Sequence, residues 1–348
     1  MNRFLYGEVN LMAKSLLRGG VYLAISAIVI FLLRDSLWDV LSSADQISEV
    51  PIWAWVLMGL FESLSFFCIW WLFKLVLPDV SLRTIAKSQL ISNASSRVIP
   101  GGAATGGAVQ YRVLTGAGVE PSAAVGSLAA TSILTFMGLF SIPALAGLVA
   151  VVSAPLEQDL AWGAVGGLIL LAGTALLGVA LTKYDRPLML LNSAADSVAL
   201  KLSKVFRFNW EKKPLRFVEE RNRIVASLEG RWLAVGIGSI GKWIADFAVL
   251  YVAVIAISGD IGFEFPLLLL AYAGASVLVT IPVTPGGFGV VEVGLASLLM
   301  SAGVLDDPAL LAVFAYRLLS FWFPILIGVV ALLFGNSKYL SDRGPAEA

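Results

Sequence analysis

The sequence predicts an all-α integral membrane protein with six full transmembrane helices and two re-entrant helical hairpins, arranged as two inverted repeats. Three observations predict this fold: an apolar composition, long runs without charge, and a Pro-Gly-Gly triplet that occurs twice. Of the 348 residues, 58% are hydrophobic and only 14% are charged. A soluble protein with this composition would have too few polar groups to cover its surface, so the bilayer must be its solvent.

Six apolar segments are candidates for crossing about 30 Å of hydrocarbon, which takes about 20 residues. Two of them, residues 121–156 and 160–182, contain no charged residue. The first segment is short and follows Arg18, but no small-residue cleavage site follows it, so we expect an attached helix rather than a signal peptide. The predicted spans are residues 19–33, 52–73, 121–156, 160–182, 232–257 and 308–334.

The distribution of charge predicts the orientation of these spans. Of the 24 Lys and Arg residues, 20 fall in four places: residues 1–18, 74–97 and 183–231, and the C-terminal tail. The predicted connections on the other side, residues 34–51, 153–159, 258–264 and 303–307, hold one basic residue, Arg34, and ten acidic residues. Because basic loops stay in the cytoplasm, we expect a multi-pass protein of the cell membrane with both termini inside. Within residues 183–231, apolar residues at three- and four-residue spacing predict an amphipathic cytoplasmic helix.

Several classes of function are excluded by composition. The formal net charge is zero, whereas nucleic-acid binding needs a surplus of Lys and Arg on one face. The chain has no His and a single cysteine, Cys68, which excludes disulfides, zinc sites and His-based acid–base catalysis. We therefore expect neither an enzyme nor a cofactor. An intramembrane enzyme that uses Glu62 with Asp246 as paired carboxylates is kept as a third alternative.

An internal repeat is indicated by two copies of one motif. Pro-Gly-Gly at residues 100–102 returns at residues 285–287, and in both copies Ala-Gly-Val follows after the same fourteen-residue gap. Each copy has the same order of elements: two spans, an interrupted segment and one further span. This order divides the chain into residues 1–153 and 154–340. Three full crossings separate equivalent elements, so the second copy must enter the membrane from the opposite side.

Each Pro-Gly-Gly triplet should break a helix, because Pro lacks a backbone donor and Gly leaves helical geometry at little cost. We expect re-entrant hairpins at about residues 81–116, from the cytoplasm, and 265–302, from outside, with tips that meet near the midplane. Such geometry is typical of transporters, where unwound backbone and half-helix ends bind the substrate. A channel, or a break that only permits close helix packing, stays open as an alternative.

Six ionisable residues fall inside predicted membrane segments, where each lone charge would cost about 3 kcal/mol. They must therefore pair or line a wet cavity. Glu62 lies 38 residues before the first triplet and Asp246 lies 39 before the second, so both acids should face one cavity. Lys242 can neutralise Asp246 one turn away. The other three are Arg112, Glu292 and Arg317, and we expect the last two to pair.

The segment at residues 282–289 reads Pro-Val-Thr-Pro-Gly-Gly-Phe-Gly, and Glu292 follows it. It resembles the signature of the flippase-like family that is named after the membrane domain of lysylphosphatidylglycerol synthases. Residues 97–118 look like the first motif of that family, and the resemblance covers most of the chain. It implies translocation of phospholipids or lipid-linked head groups between leaflets. We expect a stand-alone protein of the UPF0104 type, without the synthase domain.

Our first hypothesis is thus a flippase or scramblase in which arginines and half-helix N-termini hold a lipid phosphate. The alternative is a secondary transporter of a small polar solute or ion that uses intramembrane carboxylates. The expected partners are membrane lipids, with a second copy of the chain and a separate lipid-modifying enzyme kept open. The candidate substrate-binding residues are Arg97, Pro100, Gly101, Gly102, Arg112, Pro285, Gly286, Gly287, Gly289, Glu292 and Arg317, and the candidate cavity or coupling residues are Glu62, Lys242 and Asp246.

Overall fold

The computed structural model describes residues 50–98, 102–153, 158–186, 217–259, 264–280 and 290–334, and within these ranges the regular structure is entirely helical. The helices are α1 (Ile52–Val76), α2 (Leu82–Val98), α3 (Gly102–Gly116), α4 (Pro121–Ser153), α5 (Gln158–Lys183), α6 (Phe217–Leu228), α7 (Trp232–Ser258), α8 (Phe265–Thr280), α9 (Val290–Ser301), α10 (Asp306–Arg317) and α11 (Phe323–Phe334). A π-helical turn, Leu318–Trp322, joins α10 to α11; we call it the π turn.

Five helical segments are long and apolar enough to cross a bilayer: α1, α4, α5, α7, and α10 continued through the π turn into α11. They coincide with five of the six spans that the sequence predicts. The remaining predicted span, residues 19–33, lies outside the described residues, as does most of the predicted amphipathic segment. The five-span core of the predicted fold is therefore confirmed, and the sixth span stays a prediction.

The centre of the bundle is the pair α1 and α7, which pack along each other and share one buried core with α4, α8, α9 and α10. The other faces of α7 contact α4 and α10. Small residues permit the close approaches that hold helices together in lipid, where van der Waals packing replaces the hydrophobic effect. At Gly138 of α4, for example, an added Cβ would lie 2.5 Å from the carbonyl oxygen of Ser239 in α7.

One end of the bundle is tied together by α6. Arg223 of α6 pairs with Asp79, which follows α1, and Arg221 pairs with Asp185, which follows α5. The Glu220 side chain of α6 lies against Gly126, near the start of α4. The ends of α1 and α5 and the start of α4 therefore lie together, so the α2–α3 helix pair leaves and returns to one end of the bundle.

The start of α8 and the end of α9 also lie next to each other. The backbone N–H of Glu264, just before α8, donates to the carbonyl oxygen of Ala302, just after α9, at 3.1 Å. Each predicted hairpin thus corresponds to two helices that pack on each other, α2 with α3 and α8 with α9. The described residues stop on either side of both breaks, so Pro100, Gly101 and residues 281–289 are not described.

The Ala-Gly-Val motif has the same conformation in both copies. After α3, the Ala117 N–H donates to Val113 and Leu114, and the Val119 N–H donates to Leu114. The same bonds recur 185 positions later, after α9. Gly118 and Gly303 have φ angles of 92° and 93°, which a residue with a side chain rarely adopts. The local motif is therefore duplicated, whereas the inverted arrangement of the halves stays a prediction.

The first helix pair is fixed to the last span by Gly328. A Cβ at this position would meet the carbonyl oxygen of Leu90 and lie 2.6 Å from the Cβ of Ala94, both in α2. We expect Gly328→Ala to reduce the free energy of unfolding by about 1–3 kcal/mol through overpacking. The measurement is thermal unfolding in detergent.

The matched control for that substitution is Gly173→Ala in α5, where an added Cβ meets no atom within 4 Å. This variant should be neutral or slightly stabilising, because Ala has the higher helix propensity. Equal melting temperatures for the two variants would show that α2 does not pack tightly on α11.

Candidate functional site

Charged and aromatic side chains from seven helical segments meet inside the bundle. Glu62 and Asp246 are only 4% and 8% exposed, which is unusual for carboxylates in an apolar protein. We call this group the buried charge cluster, and its members are Glu62 of α1, Arg97 of α2, Lys242 and Asp246 of α7, Tyr272 of α8, Glu292 of α9, Tyr316 and Arg317 of α10, and Phe321 of the π turn.

Asp246 joins three helices in the cluster. Its Oδ2 atom accepts a hydrogen bond from the hydroxyl of Tyr272 and another, 3.0 Å long, from the hydroxyl of Tyr316. Both tyrosines are buried, in α8 and α10 respectively. Two hydroxyl donors on one oxygen stabilise the ionised carboxylate, because charge-assisted hydrogen bonds are stronger than neutral ones.

Glu292 and Arg317 form the ion pair that the sequence predicts. The Arg317 Nε atom donates to the Glu292 Oε1 atom at 2.6 Å, and the two side chains are 7% and 13% exposed. Glu292 lies in the first turn of α9, where the helix dipole favours an acid, and Arg317 is the last residue of α10 before the π turn. The predicted pairing is confirmed.

The π turn places a carbonyl group and an aromatic ring among these charges. The N–H of Phe323 bonds to the carbonyl of Leu318, a spacing of five residues, and Pro324 just beyond has no N–H to offer. The carbonyl oxygen of Phe321 accepts a hydrogen bond from Arg97 Nη1 at 2.8 Å. Arg97 thereby reaches the middle of the last span from the end of α2.

Phe321 also contacts both arginines of the cluster through its ring. The Arg317 and Arg97 guanidinium carbons are 4.3 Å and 5.3 Å from the centre of its ring. Each such contact contributes about 0.5–2 kcal/mol, the larger value where water is excluded. The last residues of α2 and the first turn of α9 therefore converge on one site in the last span, each next to a predicted helix break.

Glu62 and Lys242 complete the cluster. Lys242 Nζ lies 3.2 Å from the centre of the Trp243 ring and interacts electrostatically with Asp246 and Glu62. Glu62 also interacts with Arg97, across from α2. Its Oε2 atom is buried and has no hydrogen-bond partner among the described residues. The two acids at equivalent positions of the predicted repeats thus lie in one group.

The remaining sequence-predicted site residues are not placed in the cluster. Arg112 lies on α3 with an exposed side chain, and Gly102 begins that helix with a φ angle of 53°. The contact of these two residues with a substrate stays a prediction. The candidates outside the described residues are Pro100, Gly101, Pro285, Gly286, Gly287 and Gly289.

A separate cavity of about 380 Å³ lies between α4, α5 and α6. Its walls are almost entirely apolar, with Ile133, Met137 and Ile224 among the lining residues. Glu220 and Arg221 of α6 form its polar end, where burial raises the pKa of the Glu220 carboxyl group. The cavity therefore suits a hydrocarbon chain better than a polar solute.

Sequence reasoning missed three parts of this arrangement: the π turn, the two tyrosines on Asp246, and the cavity. The π turn had one available signal, Pro324 inside an apolar span soon after a buried Arg. The tyrosines had none, since aromatic residues are common in apolar helices. The cavity depends on how three helices diverge, which no local pattern reports.

One family model and two known proteins are similar in sequence to this chain. The family model described as "Lysylphosphatidylglycerol synthase TM region" matches residues 21–328. A UPF0104 membrane protein of Pyrococcus horikoshii is 36% identical over 98 residues, 28% of this chain and 28% of that protein. A phosphatidylglycerol lysyltransferase of Staphylococcus haemolyticus is 30% identical over 105 residues, 29% of this chain and 12% of that protein. Each alignment thus covers less than a third of either protein.

Proposed function

Because this chain belongs to the lysylphosphatidylglycerol synthase transmembrane family, we propose that it moves an anionic lipid or a lipid-linked head group between the leaflets of the bilayer. The observation that carries the proposal is the buried charge cluster, in which two arginines meet at a π turn within the last span. A purely structural bundle would gain little from placing six charges in its interior, three of them buried, since apolar residues of similar volume are often as stable.

The arginines of the cluster suit a phosphate group. Arg97 donates to a backbone carbonyl, a neutral acceptor, so a phosphate oxygen would be a stronger partner for the same guanidinium. Arg317 is held by Glu292, and a phosphate would have to compete with that carboxylate. We propose that this competition gates the site: the Glu292–Arg317 pair is closed without lipid and opens when a head group arrives.

The apolar cavity between α4, α5 and α6 favours a lipid over a small polar solute, because a polar solute gains nothing from hydrocarbon walls. Charge distribution supports both termini in the cytoplasm of a cell-membrane protein, which would put α6 and this cavity near the inner leaflet. The alternative, a secondary transporter of a small polar solute or ion, is favoured by one observation: the unpartnered Glu62 oxygen beside Asp246.

The proposal predicts that Arg97→Gln slows lipid translocation at least about tenfold, since one charge-assisted hydrogen bond contributes about 1.5–3 kcal/mol. Purified protein would be reconstituted into liposomes with fluorescent phosphatidylglycerol, and the label in the outer leaflet would be destroyed with dithionite. Translocation appears as additional label that becomes accessible. Fluorescent phosphatidylethanolamine tests the preference for an anion.

The matched control is Arg83→Gln, which removes an exposed arginine from the start of the same helix and should leave the rate unchanged. Equal loss in both variants would mean that α2 contributes only general positive charge. If the wild-type protein moved no lipid but admitted a small solute into the same liposomes, the alternative function would replace the proposed one.

A further inference from the structure

We infer that the buried charge cluster binds one proton, on Glu62, together with the anionic head group of its substrate. This inference rests on the proposed function and adds a second ligand to it. Movement of an anionic lipid would then be linked to the proton concentration on the side from which the lipid enters.

The charges of the cluster indicate where a proton would bind. The cluster has three acids, Glu62, Asp246 and Glu292, and three bases, Arg97, Lys242 and Arg317. Asp246 is satisfied by two tyrosine hydroxyls, and Glu292 is satisfied by Arg317.

Among the acids of the cluster, Glu62 differs because its Oε2 atom is buried without a hydrogen-bond partner in the described part of the chain. An ionised carboxylate with an unsatisfied oxygen in an apolar interior is costly, and protonation lowers that cost because it removes the charge.

Charged and polar groups on α7, α2 and α10 affect whether Glu62 binds a proton. From α7, the Asp246 carboxylate repels the carboxylate of Glu62, whereas the Lys242 ammonium group attracts it. From α2, Arg97 also attracts it, but the Arg97 guanidinium is directed to the carbonyl and ring of Phe321. From α10, the hydroxyl of Tyr316 is committed to Asp246. Neither neighbouring cation therefore makes a hydrogen bond to the Oε2 atom of Glu62.

The net charge of the cluster explains why proton and head group should bind together. With all six groups ionised the charges cancel, and a proton on Glu62 leaves one excess positive charge. A phosphodiester carries one negative charge, so the two ligands neutralise each other at the site. A phosphate on Arg97 would also screen that cation from Glu62, which favours the proton further. Each ligand then raises the affinity for the other by the same factor.

The sign of the pH dependence follows from this linkage. The site holds its proton at low pH, so anionic lipid binds most tightly there. As pH rises through the range where Glu62 loses its proton, affinity should fall by about tenfold per pH unit, the limit for one linked proton. Binding of the lipid should correspondingly take up about one proton from solution.

The test uses the full chain purified in detergent, in weakly buffered solution with a pH-indicator dye. Dioctanoyl phosphatidylglycerol is titrated in, and proton uptake and binding are measured together between pH 5 and pH 9, roughly the range in which a buried carboxyl group titrates. We expect uptake by the wild type and by Glu229→Gln, which removes an exposed acid after α6. We expect Glu62→Gln to bind without uptake and with an affinity that does not change with pH.

Two further probes identify the ligand. Dioctanoyl phosphatidylcholine, whose choline cation offsets the charge of its phosphate, should cause less uptake than phosphatidylglycerol. Inorganic phosphate is the second probe. If it binds as tightly as the lipid, the site recognises free phosphate. If it binds at least tenfold more weakly, the site recognises a lipid head group. Wild-type binding of the anionic lipid with no proton uptake at any pH of the titration, or unchanged uptake by Glu62→Gln, would overturn the inference.

Infrared spectroscopy separates this inference from the proposed function. The carbonyl band of a protonated carboxyl group should grow in the wild type as pH falls and be missing from Glu62→Gln. If the band appears but no lipid binds, the lipid function is refuted, and so is the joint binding of a proton and a head group. The remaining proton site would suit the solute-transport alternative. Lipid binding without the band would refute the proton site and retain the lipid function.

Discussion

Replacement of Asp246 by leucine should reduce the free energy of unfolding by about 3–5 kcal/mol, the amount usually lost when one member of a buried charged group is removed. The substitution would leave the hydroxyls of Tyr272 and Tyr316 buried without their acceptor. It would also remove the acid nearest along the helix to Lys242, one turn away. The measurement is the thermal unfolding midpoint in detergent.

A background that lacks the two hydroxyls shows whether this mechanism is correct. In Tyr272→Phe/Tyr316→Phe, the same Asp246→Leu substitution should lower the midpoint much less, because no donor is left unsatisfied. Asp246→Asn should be milder than leucine, since the amide oxygen still accepts a hydrogen bond. An equal loss in both backgrounds would mean that Lys242 or packing, rather than the tyrosine hydroxyls, accounts for the effect.

The spans could be predicted because a membrane imposes a length and forbids lone charges. Residues 52–73 and 232–257 were located within a few residues of α1 and α7. The last span was predicted as one helix at residues 308–334, whereas the structure interrupts it at the π turn. Hydropathy is an average over the side chains in a window, and it contains no information on which carbonyl bonds to which N–H. It therefore cannot predict a backbone irregularity inside an apolar span.

Part of the site, the Glu292–Arg317 pair, could also be predicted from the sequence. A charge at membrane depth must find an opposite charge, and this requirement led from Glu292 to Arg317. The partner of Arg97 is a backbone carbonyl, which any residue could have supplied. Arg112 is predicted to contact the substrate; its side chain is exposed on α3, and that contact stays a prediction. Distance along a sequence gives the depth of a residue and leaves open which side of the helix it faces.

The tightest ion pair of the cluster should show strong coupling in a double-mutant cycle. Each of Glu292→Gln and Arg317→Gln leaves the other charge buried without its partner, so each should cost about 3–5 kcal/mol of unfolding free energy. The double variant should lose less than the sum of the two, with a coupling energy of about 2–3 kcal/mol, at the upper end for residues in contact. Thermal unfolding of the four proteins measures this energy.

Transport should respond in the same cycle, because the pair is proposed to open when a head group arrives. Glu292→Gln removes the carboxylate that competes with phosphate for Arg317, so lipid should bind more tightly and leave more slowly. Arg317→Gln should weaken binding instead.

Exchange of the two residues, Glu292→Arg with Arg317→Glu, should restore only part of the stability, since an Arg in the first turn of α9 opposes the helix dipole. Additive effects on both stability and transport would show that the two charges act separately, with Arg317 as a phosphate ligand and Glu292 as a helix-end residue.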